Sequence, residues 1–293
     1  MNAIFLKIAG LLYQVPSLIR LADNFDPFLT GSSEEGDVTS TVCFDDIEIG
    51  EKTICHKGLT IDPTKELYIY KLKDGRYYVT INVVNSEKVF ELLATPNWDK
   101  VTFSKNLMTE HFPASVVDIF MMLTFIYSAA HHHTVLLHAS CIKYGEDAVA
   151  FIGESGAGKS THSRLWLNNI PGTVLLNDDQ PAVRILENGK ARIYGTPWSG
   201  KTNCYIQNDG NLRGIAKMKQ APSNQLIPLN PIELFQELLS SCSMIKSDPD
   251  TFRLITATIA KMASIIPGCI LENRPEKNAV TILYNYMFKT RKN

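Results

Sequence analysis

Residues 153–161 read Gly153-Glu154-Ser155-Gly156-Ala157-Gly158-Lys159-Ser160-Thr161, a complete match to the pattern G-x-x-x-x-G-K-S/T. Gly153, Gly156 and Gly158 let the backbone take unusual dihedrals and turn several N–H groups toward one point. A helix starting near Lys159 would bring the positive end of its dipole to the same place. Lys159 adds a mobile positive charge, and Ser160 a hydroxyl suited to Mg²⁺. These groups make a seat for the β- and γ-phosphates of a nucleoside triphosphate, with ATP and Mg²⁺ the expected ligands. The rest of the loop, Glu154, Ser155, Ala157 and Thr161, is expected to line the same nucleotide. The bland alternative is a glycine turn with no ligand, and chance matches seldom fall between a strand and a helix.

Two carboxylates, Asp178 and Asp179, end an apolar stretch downstream of this loop. In a parallel α/β sheet that carboxyl edge lies beside the phosphate loop. Neighbouring residues on a strand face opposite ways, so the pair is expected to divide two tasks. One can hold Mg²⁺, and the other can take a proton from an attacking hydroxyl. Without the upstream loop the pair would read as an exposed turn. His138, in Leu136-Leu137-His138-Ala139-Ser140, reads by spacing alone as a core histidine. His131-His132-His133 invites a metal reading, but consecutive helical residues point about 100° apart and cannot all face one ion.

The elements needed to position these groups follow from pattern. Residues 134–142 and 148–152 are apolar enough for strands. Residues 159–167 read as a helix that 168–172 stop, and 174–176 as a short strand leading into Asn177 and the aspartates. Glu187-Asn188-Gly189-Lys190 is a hairpin turn between strands at 182–186 and 191–194. Helices are expected at 231–241, 248–264 and 278–288, with a strand at 269–271. Pro113 suits the first turn of a helix running to Ala130. Residues 67–72 and 77–83 flank an Asp-Gly turn and make a second hairpin, 42–49 suggests another strand, and acidic 31–37 an exposed loop. The chain therefore divides near residue 112 into a β-rich N-terminal domain, 1–112, and an α/β domain of mixed sheet, 113–293.

Composition limits the partners. The 293 residues are 45% hydrophobic and 20% charged, with a formal net charge of −1. That balance argues against general affinity for nucleic acid or for an anionic membrane surface. Six scattered cysteines form no C-x-x-C pair and read as reduced, buried thiols. The apolar start is interrupted by Lys7, Gln14, Pro16 and Arg20 and lacks the layout of a signal peptide, so a cytoplasmic location is expected.

The run Leu137-His138-Ala139-Ser140, then Gly153 to Thr161, then Leu176-Asn177-Asp178-Asp179 resembles the catalytic domain of HPr kinase/phosphorylase. It is similar above all to the divergent HPr-kinase-like proteins often found beside peptide-modification genes. The resemblance covers about residues 113–290 and does not reach 1–112. It implies a P-loop kinase domain of the phosphoenolpyruvate carboxykinase type, and a possible homo-oligomer. It also implies that Asp178 is the base on an acceptor serine hydroxyl, that His138 assists, and that Asp179 works with Lys159 and Mg²⁺. The chain has Ala139 where those enzymes carry Gly, and it lacks their later arginine-containing signature. The resemblance therefore carries over neither HPr as acceptor nor reverse phosphorolysis. In place of that signature stands Gly195-Thr196-Pro197-Trp198-Ser199-Gly200-Lys201. It reads equally as a cover for phosphates or acceptor, with Lys201 a second phosphate contact, and as a rigid turn with Trp198 in the core.

The expected activity is transfer of the γ-phosphoryl group of ATP to a hydroxyl on a protein, peptide or small molecule. A non-catalytic nucleotide-binding module is the first rival, although such a module needs neither Asp178 nor His138. A general P-loop ATPase is the second. The chain has neither the L-S-G-G-Q run of transport ATPases nor a guanine-reading N-K-x-D.

Overall fold

The computed structural model describes residues 3–31, 37–60, 63–109, 114–200 and 202–289. Pro113, Lys201 and most of the acidic 31–37 stretch lie outside them. The chain is a mixed α/β protein with two large mixed β-sheets. It divides into two compact units, Met1–His132 with Ile245–Arg253, and His133–Met244 with Leu254–Asn293. Among the described residues no helix is long and apolar enough to cross a membrane.

The first unit holds β1 (Ala3–Ile8), β2 (Leu11–Pro16), β3 (Leu29–Thr30), β4 (Val38–Asp45), β5 (Lys52–Leu59), β6 (Lys65–Leu72), β7 (Tyr77–Val83), β8 (Val89–Ala94) and β9 (Lys100–Ser104). Their order is β3-β1-β2-β4-β9-β8-β7-β6-β5. From β9 to β5 the sheet is an antiparallel meander, whereas β2, β4 and β9 run parallel. The β6–β7 hairpin forms where the Asp-Gly signal put it, with Gly75 at φ 85°. The strand expected at 42–49 begins earlier and ends at Asp45, where Asp45 and Asp46 are exposed and paired with Lys105.

Helix α1 (Asn106–Thr109) is a single turn, and α2 (Ala114–Ala130) follows. The sequence reading gave α2 to the C-terminal domain, whereas its residues belong to the first unit. The reason is aromatic packing: Phe120 meets Phe103, Phe125 meets Tyr13, and Tyr127 stacks on Trp98 at 4.3 Å. Residues 245–253 join the same unit through buried Asp248, whose carboxylate accepts hydrogen bonds from Tyr77 and Thr251.

The second unit contains β10 (Thr134–Leu136), β11 (Ala139–Tyr144), β12 (Asp147–Ile152), β13 (Thr173–Asp179), β14 (Ala182–Ile185), β15 (Ala191–Tyr194), β16 (Asp209–Gln220), β17 (Gln225–Leu229) and β18 (Gly268–Asn273). Its helices are α3 (Lys159–Asn169), α4 (Pro231–Ser241), the part of α5 (Pro249–Ile265) from Leu254 onward, and α6 (Lys277–Tyr284). The sheet runs β10-β14-β15-β16-β12-β11-β13, and β18 adds to β16 with β17 beyond it. β12 and β18 flank β16 in parallel. β11 runs antiparallel between β12 and β13, so the latter two point the same way. One hydrophobic cluster, including Phe151, Trp166, Met218, Leu271, Leu283 and Met287, joins this sheet to α3 and α6. Burying such side chains is worth roughly 1.5–3 kcal/mol each and holds α3 and α6 on the sheet.

Candidate functional site

The end of β12, the end of β13 and the start of β11 share one edge of the sheet, because Ala139 pairs with Ile152 on one side and Asp179 on the other. The sheet is mixed at this edge, as expected, although the rule that places the aspartates by the loop is one for a parallel sheet. An antiparallel strand intervenes, yet three segments that are distant in sequence still meet: His138, the loop at 153–158, and the two aspartates.

The loop turns directly off β12 into α3. Gly153 has φ 141°, and a Cβ there would stand 3.0 Å from the carbonyl oxygen of Met218 on β16, so only glycine fits. Ala157 N–H closes a turn onto the Glu154 carbonyl, and Gly158, left-handed at φ 98°, caps α3. The N–H groups of Lys159, Ser160 and Thr161 fall in the first helical turn, where no intrahelical acceptor exists. Gln220, at the end of β16, donates from its side chain to the Gly156 carbonyl at 2.9 Å and braces the loop.

One buried contact ties α3 to the sheet, and a second lies within the helix itself. Ser163 and Ser140 share a buried hydrogen bond of 2.6 Å, and the Trp166 indole donates to His162 Nε2 at 3.0 Å. Burial depresses His162 from its ordinary 6.5 to about 4. The unfolded chain therefore binds more protons between those values, and stability, complete above 6.5, is lost as pH falls toward 4. This gap corresponds to roughly 3 kcal/mol. Denaturant titrations across that range are expected to show an acid-side loss that His162→Gln flattens. An unchanged profile in the variant would contradict the assignment.

Lys159 lies over the loop. Its Nζ donates to the carbonyls of Gly153 (2.8 Å) and Glu154 (3.2 Å) and reaches His138 Nε2 at 3.2 Å. An ammonium can only donate, so Nε2 accepts. The imidazole proton then sits on Nδ1, which faces Asp179 Oδ1 at 3.1 Å. Lys159, His138 and Asp179 thus form a continuous line. Burial lowers the Lys159 ammonium below its ordinary 10.5, while Asp179 and Asp178 pull the other way.

His138 is 43% exposed, which removes it from the core where spacing alone put it. The single strand expected at 134–142 is broken at this point. Leu137 makes an isolated bridge to Cys242, and His138 N–H donates to the Ser241 carbonyl at 2.6 Å, so β10 and β11 separate. That break turns the ring toward the loop.

Asp178 and Asp179 have different partners, as alternation on a strand requires. Asp179 meets His138, whereas Asp178 Oδ2 accepts a hydrogen bond of 2.7 Å from the Thr202 hydroxyl. Asp178 Oδ1 is buried without a hydrogen-bond partner among the described residues. A bulge aims the pair: Cys141 pairs with Asn177 but Ile142 with Leu175, which leaves Leu176 extra.

Asn177, fully buried, anchors the arrangement. Its Oδ1 accepts from the N–H groups of Asp179 and Gln180, and its Nδ2 donates to the Thr196 and Trp198 carbonyls. The segment from Gly195 to Gly200 is therefore tied to the aspartate strand, with Trp198 buried as the turn reading expected. Gly200 lies so close that a Cβ would be 3.3 Å from that of Asp179. Sequence reasoning missed Asn177, although a polar residue inside an apolar strand was its signal. It also missed Thr202 and Gln220, which no motif marks.

Ser160 and Thr161 follow Lys159 on the first turn of α3, with Thr161 exposed. Beside them is a pocket of about 270 Å³ lined by Gly158, Thr161, Leu165, Gln220, Asn273 and Arg274. It opens at the ends of the parallel strands β16 and β18.

No family model matches the chain, and no curated protein matches it.

Proposed function

We propose that the second unit is a kinase domain of the HPr kinase and phosphoenolpyruvate carboxykinase type, transferring the γ-phosphoryl group of ATP to a hydroxyl acceptor. The observation that carries the reading is the line from Lys159 through His138 to Asp179 at the mouth of the glycine loop, with Asp178 beside Asp179 at the end of β13. A loop that only turned the chain would need none of them. The loop amides and the α3 dipole bind the phosphates, and Lys159 neutralises charge that builds on the transferring group. His138 holds Lys159 and Asp179 in register. Asp178 takes the acceptor proton.

The donors near the phosphate seat fit Mg²⁺, because Ser160, Asp179 and the unpartnered Asp178 Oδ1 are all oxygen groups. Bound there, Mg²⁺ would neutralise the β- and γ-phosphate oxygens. The pocket beside Thr161 and Leu165 suits the nucleoside end of the same ligand. The test is transfer of labelled γ-phosphate from ATP to serine-bearing acceptors, with Asp178→Asn as the control. ATP binding with no turnover on any acceptor would instead favour a non-catalytic nucleotide sensor.

A further inference from the structure

The hydroxyl that Asp178 now holds belongs to the chain itself. Thr202 lies on the connection from β15 to β16, and the described residues of this connection make several fixed contacts. Ser199 Oγ donates to the Thr202 carbonyl at 2.6 Å, the Cys204 thiol is buried against the Leu175 carbonyl at 3.6 Å, and Gly195 N–H bonds to the Asn208 carbonyl. The segment folds back over β13 and sets one hydroxyl, that of Thr202, on Asp178 Oδ2 at 2.7 Å. The other three hydroxyls of the segment are engaged elsewhere: Ser199 on the Thr202 carbonyl, Thr196 on the Gln180 carbonyl at 2.7 Å, and Tyr205 on Asn203 Oδ1 at 3.4 Å.

A general base must lie within about 2.6–3.2 Å of the hydroxyl it deprotonates, and this pair meets that condition. Asp178 also acts on the charge of Lys159, the residue that would hold the γ-phosphate. We infer that Thr202 is a self-phosphorylation site, modified within its own chain by a nucleoside triphosphate seated on the glycine loop. The inference rests on the kinase reading above. In the step, the Thr202 O–H bond breaks and its proton passes to Asp178 Oδ2. Thr202 Oγ bonds to the γ-phosphorus as the bond from that phosphorus to the β–γ bridging oxygen breaks, which releases a nucleoside diphosphate. Once Asp178 has released that proton to solvent, like-charge repulsion pushes the phosphorylated side chain away from the two aspartates, and the single Thr202 Oγ carries one phosphate per chain.

The test is incubation of the full chain with γ-labelled ATP and Mg²⁺, phosphosite mapping by mass spectrometry, and calorimetry of ATP binding on the same protein. The expected result is one phosphate on Thr202, appearing with a rate constant independent of protein concentration. It should be absent from Thr202→Val and Asp178→Asn and should return as phosphoserine in Thr202→Ser. ATP bound or consumed without phosphate at Thr202 overturns this inference and leaves the kinase reading standing. Label elsewhere, or a rate that rises with protein concentration, overturns it too. No heat of ATP binding overturns both.

Discussion

Asp178→Asn is expected to lower the rate of phosphoryl transfer by roughly 10²–10⁴-fold, the usual worth of a positioned general base, while nucleotide affinity changes little. The argument is geometric. The substitution keeps the shape of the side chain and an oxygen able to accept the bond from Thr202, so the strand and its bulge persist. What disappears is the ability to accept a proton. The proposed nucleotide seat consists of the loop amides, the start of α3 and Lys159, and the bonds that hold Lys159 to the Gly153 and Glu154 carbonyls do not involve that carboxylate. A loss confined to turnover, with binding preserved, is therefore the signature of the assigned role. Undiminished transfer in Asp178→Asn would remove Asp178 from the mechanism.

The second large effect is structural. Asn177→Ala deletes a side chain that accepts two backbone N–H groups and donates to two carbonyls in a fully buried site. Leaving those partners unsatisfied costs about 1–3 kcal/mol for each one that water cannot reach, so a total loss of roughly 3–5 kcal/mol is expected. The same change releases the 195–200 segment from the aspartate strand, so transfer should fall even at temperatures where the unit stays folded. Urea denaturation and a transfer assay on one preparation check both parts. A loss below about 1 kcal/mol with full activity would show that the clamp is dispensable.

The strand, glycine loop and helix were legible because their pattern is local. Three glycines, a lysine and a hydroxyl at fixed spacing dictate a strand, a turn and a helix, and β12, the loop and α3 follow in that order. The Asp178–Asp179 pair was legible as a strand end. The exposure of His138 was not legible from spacing, because it comes from a break between β10 and β11 that depends on Ser241 and Cys242, far along the chain. The strand β16, central to the sheet, escaped notice because its glycines and lysines hide the buried alternation of Leu212, Ala216 and Met218. The membership of α2 turned on aromatic contacts with β2 and β9 that no pattern within the helix announces. Thr202 carries no motif at all, and its contact with Asp178 comes only from the fold of the connection around it.

Anion capture by the glycine loop is the claim beneath all the others, and calorimetry of ATP with Mg²⁺ on wild-type protein and Lys159→Ala measures it most directly. Wild-type protein should give a saturable heat, and the variant should bind roughly ten to a hundred times more weakly, as expected for a lost charge-assisted contact. No heat from folded wild-type protein, or the same affinity in both proteins, would contradict it.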